Sequence, residues 1–360
     1  MRDINILVFN WRDPKNPDAG GAEQFTHQIM KRLVKRGHDV TQISARFDNG
    51  VPQEIIDGVR FIRVGNKYTV YGAAKRWYKR NDQEHFDVVI DEINTIPFNT
   101  PHFVNQGERI YALIHQLARE FWYYEMPFPI STIGNKFLED RWLRRYAEVP
   151  TITVSDSTKS DLEALGFKNI SIVHEGYDFE PLKVLAKKEE TPTMIYVGRF
   201  KKAKMPDHAM EAYRLAREKV PGLRLWMVGE GYQRDKLEEK KIDGVTFFGR
   251  LPLADKSDLV SKANLLLVPG VREGWGLVVT EANAMGTPAL GYRIPGLKDS
   301  IKEGRTGWLC DPNPIALSES IVKIFADKEQ MRQRSEAALE DARQYNWDRG
   351  AKEFEEIISK

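Results

Sequence analysis

The sequence contains little cysteine, no charge excess of either sign and no long apolar run. Its 360 residues include one cysteine, Cys310, so neither an intrachain disulfide nor a cysteine-based zinc site can form. Lys and Arg number 54 against 52 Asp and Glu. The resulting net charge of +2 argues against nucleic acid as a partner, which demands a large basic excess. No apolar stretch approaches the ~18 residues of a membrane-spanning helix. The composition therefore predicts a cytosolic protein, or one attached to a membrane at its cytosolic face.

The length and the mix of residues predict two folded domains. A chain of 360 residues suits two domains of ~150–200 residues each. Hydrophobic residues make up 41% and charged residues 29%, which is enough apolar material for buried cores. The segment 179–192 is charged, has two prolines and shows no period, so we interpret it as an interdomain linker. We therefore expect domains over 1–180 and 181–340, followed by a terminal segment over 341–360.

Strands and helices alternate along both halves of the chain. The run 4–9 is apolar except for Asn5, as suits a buried parallel strand, and we interpret it as the first strand rather than as a signal peptide. A helical stripe over 22–36 and a strand over 39–44 complete a βαβ unit. Further strands are predicted at 86–90, 151–154, 170–173, 194–197, 223–228, 245–248, 265–268 and 289–292, with helices at 205–218 and 278–285. This alternation predicts an α/β protein made of two doubly wound, Rossmann-like halves.

Glycines follow most of the predicted strands of the second half. They are Gly198, Gly229, Gly231, Gly249, Gly274 and Gly276. In a parallel sheet, ligands bind beyond the carboxyl ends of the strands. Glycine lets the backbone approach a ligand closely, so we expect a ligand site at this edge of the sheet.

The segment 271–289, VREGWGLVVTEANAMGTPA, carries two glutamates, Glu273 and Glu281, with seven residues between them. The first of these intervening residues form a loop that enters a helix: Gly274, Trp275, Gly276 and Leu277. Free N–H groups and the positive dipole end make a helix N-terminus an anion site. Glu281 lies about one turn into the helix, where its carboxylate can reach a polyol such as a ribose. Two surface carboxylates on a strand–turn–helix are the alternative interpretation.

Two cations follow the strand predicted at 194–197. Arg199 comes directly after Gly198, and Lys204 lies five residues later, near the start of the next helix. Two cations at a strand end can clamp a diphosphate. A solvated basic surface is the alternative, because Lys201 and Lys202 lie between them.

The order and spacing of Gly198-Arg199, Lys204 and Glu273-x7-Glu281 resemble glycosyltransferase family 4, a retaining family with the two-domain GT-B fold. The resemblance is densest from 195 to 309. It implies two Rossmann-like domains with a nucleotide-sugar site in the cleft between them. It also implies transfer of a hexose from a donor of the UDP-hexose or GDP-mannose type to a hydroxyl of a glycan or lipid-linked acceptor.

The resemblance assigns roles in the second half of the chain. Arg199, Lys204 and the backbone N–H groups of 274–277 would stabilise charge on the departing diphosphate. Glu273 would contact the donor sugar and Glu281 the two ribose hydroxyls. We favour front-face displacement, with Glu273 orienting the sugar rather than acting as a nucleophile. Gly249 and Arg250, in FFGRLP, resemble the turn that contacts the nucleobase.

The resemblance also assigns roles in the first half. Gly20 and Gly21, in PDAGGAEQ, resemble a glycine loop that approaches the donor phosphate. His115, in LIHQLAREF, resembles a histidine that faces the donor sugar, although a histidine after an apolar pair is more often a packing residue. The tail 346–358 resembles a final helix that crosses back to the N-terminal domain. Met205 stands where the family pattern has glycine, so we expect that turn to differ.

Neither a metal nor a cofactor is expected. The chain has no Asp-x-Asp, the pattern with which metal-dependent sugar transferases bridge a divalent ion to a diphosphate. Cationic side chains and a helix dipole would take the place of the metal.

The segment 71–80 (YGAAKRWYKR) mixes basic and aromatic residues, the segment 121–130 (FWYYEMPFPI) is rich in aromatic residues, and Trp142-Leu143-Arg144-Arg145 adds a further mixture. Such mixtures suit an anionic membrane interface, stacking on sugar rings or core packing. A lipid-linked acceptor and a peripheral membrane contact through the N-terminal domain are therefore hypotheses.

Three other classes of protein stay open. A dinucleotide-dependent dehydrogenase needs Gly-x-Gly-x-x-Gly after a strand, but Gly229-Glu230-Gly231 is followed by Arg234 where the third glycine belongs. A nucleotide-sugar epimerase shares the two-domain fold, and the Glu273-x7-Glu281 loop argues against it. A non-catalytic carbohydrate-binding protein would not need two cations and Glu281 together.

Overall fold

The computed structural model describes residues 3–81 and 83–360. These form two compact units whose chain segments are interleaved. The first unit runs to Arg119 and also contains Pro129–Gly176 and Asn346–Lys360, and the second contains Glu120–Phe128 and Tyr177–Tyr345.

The first unit contains an eight-stranded sheet with the order β3-β4-β2-β1-β5-β6-β7-β8. Its strands are β1 (Asn5–Phe9), β2 (Asp39–Ser44), β3 (Gln53–Ile56), β4 (Val59–Arg63), β5 (Val88–Glu92), β6 (Arg109–Leu113), β7 (Thr151–Thr153) and β8 (Ile170–Ile172). All neighbours pair in parallel except β3 and β4, which form an antiparallel hairpin. The chain moves outward from β1 in one direction and from β5 in the other, so the topological switch point lies between these two strands.

The second unit contains a six-stranded, wholly parallel sheet with the order β11-β10-β9-β12-β13-β14. Its strands are β9 (Thr193–Val197), β10 (Arg224–Val228), β11 (Val245–Gly249), β12 (Leu265–Val268), β13 (Ala289–Tyr292) and β14 (Gly307–Cys310). Its switch point lies between β9 and β12, whose carboxyl ends are therefore where a ligand is expected. The prediction of two parallel α/β sheets is confirmed.

The helices connect these strands. They are α1 (Gly21–Lys35), α2 (Val70–Arg80), α3 (Phe121–Glu125), α4 (Ile130–Ile133), α5 (Glu139–Leu143), α6 (Asp156–Ala164), α7 (Pro206–Ala216), α8 (Arg234–Glu238), α9 (Leu253–Lys262), α10 (Leu277–Ala284), α11 (Leu297–Ser300), α12 (Pro314–Ala326), α13 (Lys328–Ala342) and α14 (Trp347–Ile358). A π-helical turn (Gly134–Leu138) joins α4 to α5, and 3₁₀ turns occupy Thr100–His102, Arg144–Tyr146 and Lys202–Lys204. Within the described residues, no helix combines the length and apolar character needed to cross a bilayer.

The segment 179–192, predicted to be a linker, lies within the second unit. Leu182 N–H donates to the carbonyl of Ala284, and Glu189 N–H donates to the carbonyl of Lys262. The Nζ of Lys188 donates to the carbonyl of Ser261 at 2.9 Å. The segment is therefore attached to α9 and α10, and its charged composition does not reveal these backbone contacts.

Helix α14 packs on α1 inside the first unit. The ring of Trp347 lies 5.8 Å from that of Phe25, edge to face. Glu355, which is buried, accepts from Nη1 of Arg36 at 2.6 Å. It also bonds Nε2 of His38 at 3.0 Å. Nδ1 of His38 accepts from the N–H of Ile4, so Nε2 is the nitrogen that donates to Glu355.

The Glu355 carboxylate is expected to stabilise this packing at neutral pH. Burial alone would raise the pKa of Glu355, but hydrogen bonds from Arg36 and His38 outweigh it and lower the pKa below its ordinary 4.5. A carboxyl group with a lowered folded-state pKa stabilises the protein above its unfolded pKa, and this stability is lost as the pH falls through the folded value. Glu355→Gln should therefore lower the free energy of unfolding at pH 7 by about 1.5–3 kcal/mol.

Urea denaturation at several pH values measures this effect. The difference between Glu355→Gln and wild type should shrink as the pH falls below 4.5. The control is Glu356→Gln on the same helix, because Glu356 is exposed. A pH-independent difference, or an equal loss in the control, would contradict the expectation.

Candidate active site

Glycine turns meet where β9, β10 and β11 end. The N–H of Gly198 donates to the carbonyl of Val228 at 3.0 Å, and that of Gly229 donates to the carbonyl of Gly249 at 2.8 Å. Gly229 has φ +139°, and a Cβ on it would lie 1.9 Å from the carbonyl oxygen of Gly198. A side chain at Gly229 would therefore collide with backbone, and glycine is what lets the strand ends pack this closely.

The loop after β9 is fixed by hydrogen bonds from the side chain of Tyr196. The buried phenol of Tyr196 donates to the carbonyls of Arg199 and Lys204, each at 3.2 Å. Burial raises the pKa of Tyr196, and the negative charges of Glu273 and Asp207 raise it further. The two carbonyls held by one hydroxyl fix the course of the chain from Arg199 to Lys204.

The turn at Met205 departs from the expectation. The sequence predicts a different turn, because methionine replaces the glycine of the family pattern. Met205 nevertheless adopts φ +47°, the left-handed region that glycine favours, directly before Pro206 opens α7. Such strain in a non-glycine residue costs about 1–2 kcal/mol.

The loop from β12 to α10 is fixed by its neighbours. The N–H of Val271 donates to the carbonyl of Ala203 at 3.1 Å, which ties this loop to the loop after β9. A Cβ on Gly296 would lie 2.2 Å from the carbonyl oxygen of Glu273. Trp275 is buried, and its Nε1–H donates to Oγ1 of Thr280 at 2.8 Å. Gly276 caps α10 with φ +93°, so the helix begins at Leu277, within one residue of the prediction.

Lys204 and Glu273 form an ion pair between these two loops. Nζ of Lys204 lies 2.5 Å from Oε1 of Glu273, and the side chains are only 24% and 14% exposed. Arg199 is half-buried in the same loop as Lys204, and its positive charge acts on Tyr196. The structure therefore brings together two of the four predicted catalytic residues, Lys204 and Glu273, and places Arg199 in the same loop as Lys204.

Glu281 is paired with a cation that sequence reasoning missed. Its Oε2 lies 2.7 Å from Nζ of Lys256 on α9, and both side chains are mostly buried. The pair lines a small cavity together with Phe179, Val197, Ser257, Val260, Val278, Ala282 and Met285. Lys256 precedes Glu281 by 25 residues on another helix, so no local spacing signals the pair.

Gly249 ends β11 and Arg250 follows it directly. Gly249 has φ +68°, and a Cβ there would lie 2.9 Å from Oε1 of Glu230. Arg250 is exposed, three residues before α9 begins. A role for this turn in nucleobase binding stays a prediction.

In the first unit, Gly20 and Gly21 open α1 after β1, beside the switch point. The N–H of Gly20 donates to Oε2 of Glu23 at 2.7 Å. Glu23 is buried and also binds Nε of Arg12 at 2.8 Å. The Gly20 N–H is thus satisfied inside the protein, and a glutamate three residues after an N-cap is the sequence signal for it.

His115 lies just beyond β6 and is buried in the first unit. Its Nε2 lies 3.5 Å from Oε1 of Glu92, and its ring packs edge to face on Phe25 at 5.0 Å. Burial raises the pKa of Glu92, and the interaction with His115 opposes that shift. The contacts described are those of a packing residue, and the predicted role toward the donor sugar stays a prediction.

The two aromatic segments differ in exposure. In 71–80, Tyr78 is buried and its hydroxyl bonds Glu108, while the ring of Tyr71 packs on Phe98 at 4.8 Å. Core packing therefore accounts for most aromatic rings of that segment. In 121–130 the exposed large apolar side chains are Tyr123, Tyr124, Met126, Phe128 and Ile130.

In the described part of the chain, no three or more His, Cys, Asp or Glu residues are grouped to hold a metal ion. The expectation that the enzyme needs neither a metal nor a cofactor stays a prediction.

Two family models match consecutive parts of this chain. The model described as Glycosyltransferase Family 4 matches residues 19–181, and the model described as Glycosyl transferases group 1 matches residues 179–341. Together they span 19–341, so the chain belongs to the glycosyltransferases, and its two parallel sheets are the Rossmann-like halves of a GT-B fold. The protein is therefore a glycosyltransferase and not a dehydrogenase, an epimerase or a non-catalytic carbohydrate-binding protein.

Individual proteins with similar sequences or folds are consistent with this family assignment. Glycogen synthase of Mycobacterium tuberculosis (strain H37Rv) is 25% identical, over 93% of this chain and 89% of that protein. Sucrose-phosphate synthase of Thermosynechococcus elongatus has the same fold, with a TM-score of 0.82, 19% identity and coverage of 99% and 98%. Anabaena HepE, crystallised with UDP and glucose, has a TM-score of 0.71, 15% identity and coverage of 99% of each chain.

The close contact at Gly229 gives a stability test. Alanine at a left-handed position costs about 1–2 kcal/mol in itself. Gly229→Ala should cost at least about 2 kcal/mol beyond that, because overpacking adds its own cost. The control is Gly222→Ala, since Gly222 has φ +73° but a Cβ there would meet only a methyl group of Thr191 at 3.6 Å. Denaturant unfolding of both variants measures the difference, and equal losses would contradict the backbone contact.

Proposed function

We propose that this glycosyltransferase moves a hexose from a nucleoside-diphosphate sugar to a hydroxyl of a glycan or lipid-linked acceptor, with retention of configuration and without a metal. The observation that supports it most is the Lys204–Glu273 pair, 2.5 Å long, between the loops at the switch point of the second sheet. The fold shared with HepE, whose structure holds UDP and glucose, supports the choice of donor class.

Donor binding would exchange the partners of this ion pair. In the free protein Lys204 neutralises Glu273. A diphosphate carries more charge than one carboxylate, so it competes with Glu273 for the ammonium group of Lys204. Glu273, once released, would accept hydrogen bonds from the donor sugar hydroxyls. The sugar and the diphosphate would thereby be bound by the two halves of one pair.

Arg199 and Lys204 would then act on the leaving group. As the glycosidic bond breaks, negative charge grows on the diphosphate oxygens. Two cations and the N–H groups of 274–277 at the start of α10 stabilise such charge in the transition state. These groups supply what a divalent ion supplies elsewhere, so no step requires a metal.

Retention would follow from front-face displacement. The acceptor hydroxyl attacks the anomeric carbon on the side that the diphosphate leaves, and a departing phosphate oxygen takes the proton of the hydroxyl. The anomeric centre becomes oxocarbenium-like, and Glu273 orients the sugar rather than bonding to its carbon.

A membrane-associated acceptor is supported by exposed apolar side chains. Phe128 is 83% exposed in the second unit, and Ile133 and Phe137 are exposed in the first. The exposed cations Arg144 and Arg145 follow in the sequence of the first unit. Apolar and basic side chains together favour an anionic lipid surface.

Product analysis tests the function. The protein is incubated with UDP-hexoses and GDP-mannose, with soluble and lipid-linked acceptors, in the presence and absence of EDTA and of anionic vesicles. We expect release of the nucleoside diphosphate and a product whose anomeric configuration, read by NMR, is that of the donor. Activity should survive EDTA and rise with vesicles when the acceptor carries a lipid. An inverted product, or loss on chelation that Mg²⁺ restores, would contradict the mechanism.

Substitutions of Glu281 and Glu273 should have different effects on ligand binding and turnover. Glu281→Gln leaves one carbonyl acceptor for the ribose, so it should weaken the binding of both the nucleotide sugar and the free diphosphate by about 1.5–3 kcal/mol. Glu273→Gln should spare binding of the free nucleotide and lower turnover, because its partner is the sugar.

Calorimetry with UDP and GDP, together with turnover, measures both variants. The control is Glu319→Gln, because Glu319 is exposed on α12. Loss of free nucleotide in Glu273→Gln with none in Glu281→Gln would reverse the assignment.

A further inference from the structure

A nine-residue segment, Glu120–Phe128, belongs to the second unit although the chain on either side of it belongs to the first. We call this segment the strap. It contains α3, and its aromatic side chains Tyr123 and Tyr124 are exposed. Its two carboxylates, Glu120 and Glu125, point back to the loops that carry the Lys204–Glu273 pair.

Glu125 holds the residues directly before Lys204. Its Oε1 accepts from the N–H of Ala203 at 3.0 Å. The hydroxyl of Tyr232 donates to both oxygens of Glu125, at 3.2 and 3.1 Å. That same hydroxyl accepts from the N–H of Lys202 at 2.8 Å. Two successive N–H groups of the loop are therefore bound, directly or through Tyr232, to one carboxylate.

Glu120 holds the residue directly before Glu273. Its Oε2 lies 2.8 Å from Nε of Arg272, whose side chain is mostly buried. The bond from Val271 N–H to the carbonyl of Ala203 joins the two held loops. Each strap carboxylate thus fixes the neighbour of one member of the ion pair.

The bonds made by Glu125 have no substitute within the turn. Lys202–Lys204 is a 3₁₀ turn, and the first N–H groups of a helical turn lack partners inside it. Without Glu125, the N–H of Ala203 loses its acceptor and the hydroxyl of Tyr232 loses its anchor. Lys204 follows immediately, so its ammonium group would be less well placed. Small misplacement of a catalytic group is costly to rate.

We infer that the strap positions the donor loops and that Glu125 is a positioning residue that acts through Lys204. This rests on the proposed function, in which Lys204 binds the donor diphosphate. The inference gives the strap a task distinct from that of its exposed aromatic side chains.

A double-mutant cycle tests it. Glu125→Ala should lower kcat/KM by about tenfold in the wild-type background, with the melting temperature nearly unchanged. In the Lys204→Ala background the same change should cost less than about twofold, because residues that act through one another are not additive. Tyr232→Phe should reproduce part of the loss in kcat/KM. Glu125→Gln keeps an oxygen that accepts from the N–H of Ala203, so it should retain most of the wild-type kcat/KM. An equal fold-loss of kcat/KM for Glu125→Ala in both backgrounds would overturn the inference.

A second measurement needs no donor. Hydrogen exchange should accelerate at residues 199–205 in Glu125→Ala by about tenfold or more, and not in the exposed control Glu319→Ala. Unchanged exchange in this loop would overturn the inference even if transfer is observed. Faster hydrogen exchange with no sugar transfer from any nucleotide sugar would support the positioning role of the strap and contradict only the proposed function.

Discussion

The ion pair between Lys204 and Glu273 is the interaction on which the rest of the site depends. The two residues follow β9 and β12, which are neighbours in the second sheet. Both side chains are mostly withdrawn from water, and either one alone would bear the cost of an unpaired, partly buried charge. A ligand that separates them must therefore replace what each loses, an anion for Lys204 and hydrogen-bond donors for Glu273. A sugar diphosphate supplies both in one molecule.

The surrounding backbone keeps this pair in place. The glycine contacts at Gly229 and Gly296 bring loops together at distances that a side chain would forbid. Hydrogen bonds from the buried Tyr196 and to Glu125 of the strap then fix the loop that carries Arg199 and Lys204. Groups fixed before the substrate arrives need little reorganisation as charge develops, and this is where electrostatic catalysis gains most. The left-handed Met205 shows that the fold tolerates strain to keep the loop's course.

Much of the fold could be predicted from the sequence, and part of the site. Strands β12 and β13 were predicted to the residue, because compact apolar runs mark buried parallel strands. Strand β2 has only two apolar residues, and its place after the helical stripe of a βαβ unit predicted it. The hairpin of β3 and β4 was not, since the exposed residues of β3 show no apolar run. The local spacing of Glu273 and Glu281 placed them correctly at the loop before α10 and inside α10, and their roles toward a donor stay predictions. Lys256 and Glu125 were missed, because their partners are distant in sequence and one sequence carries no signal for such pairs. The aromatic rings of 71–80 were considered as a binding surface, and most of them pack in the core instead. Composition alone does not distinguish residues that face the core from residues that bind a ligand.

A crystal structure of the protein with a bound UDP-hexose tests the central claim most directly. We expect a diphosphate oxygen to replace Glu273 as the nearest partner of Lys204 Nζ, with Arg199 beside it, the sugar hydroxyls on Glu273 and the ribose hydroxyls on Glu281. An intact Lys204–Glu273 pair, with the nucleotide sugar bound elsewhere in the protein, would contradict the account.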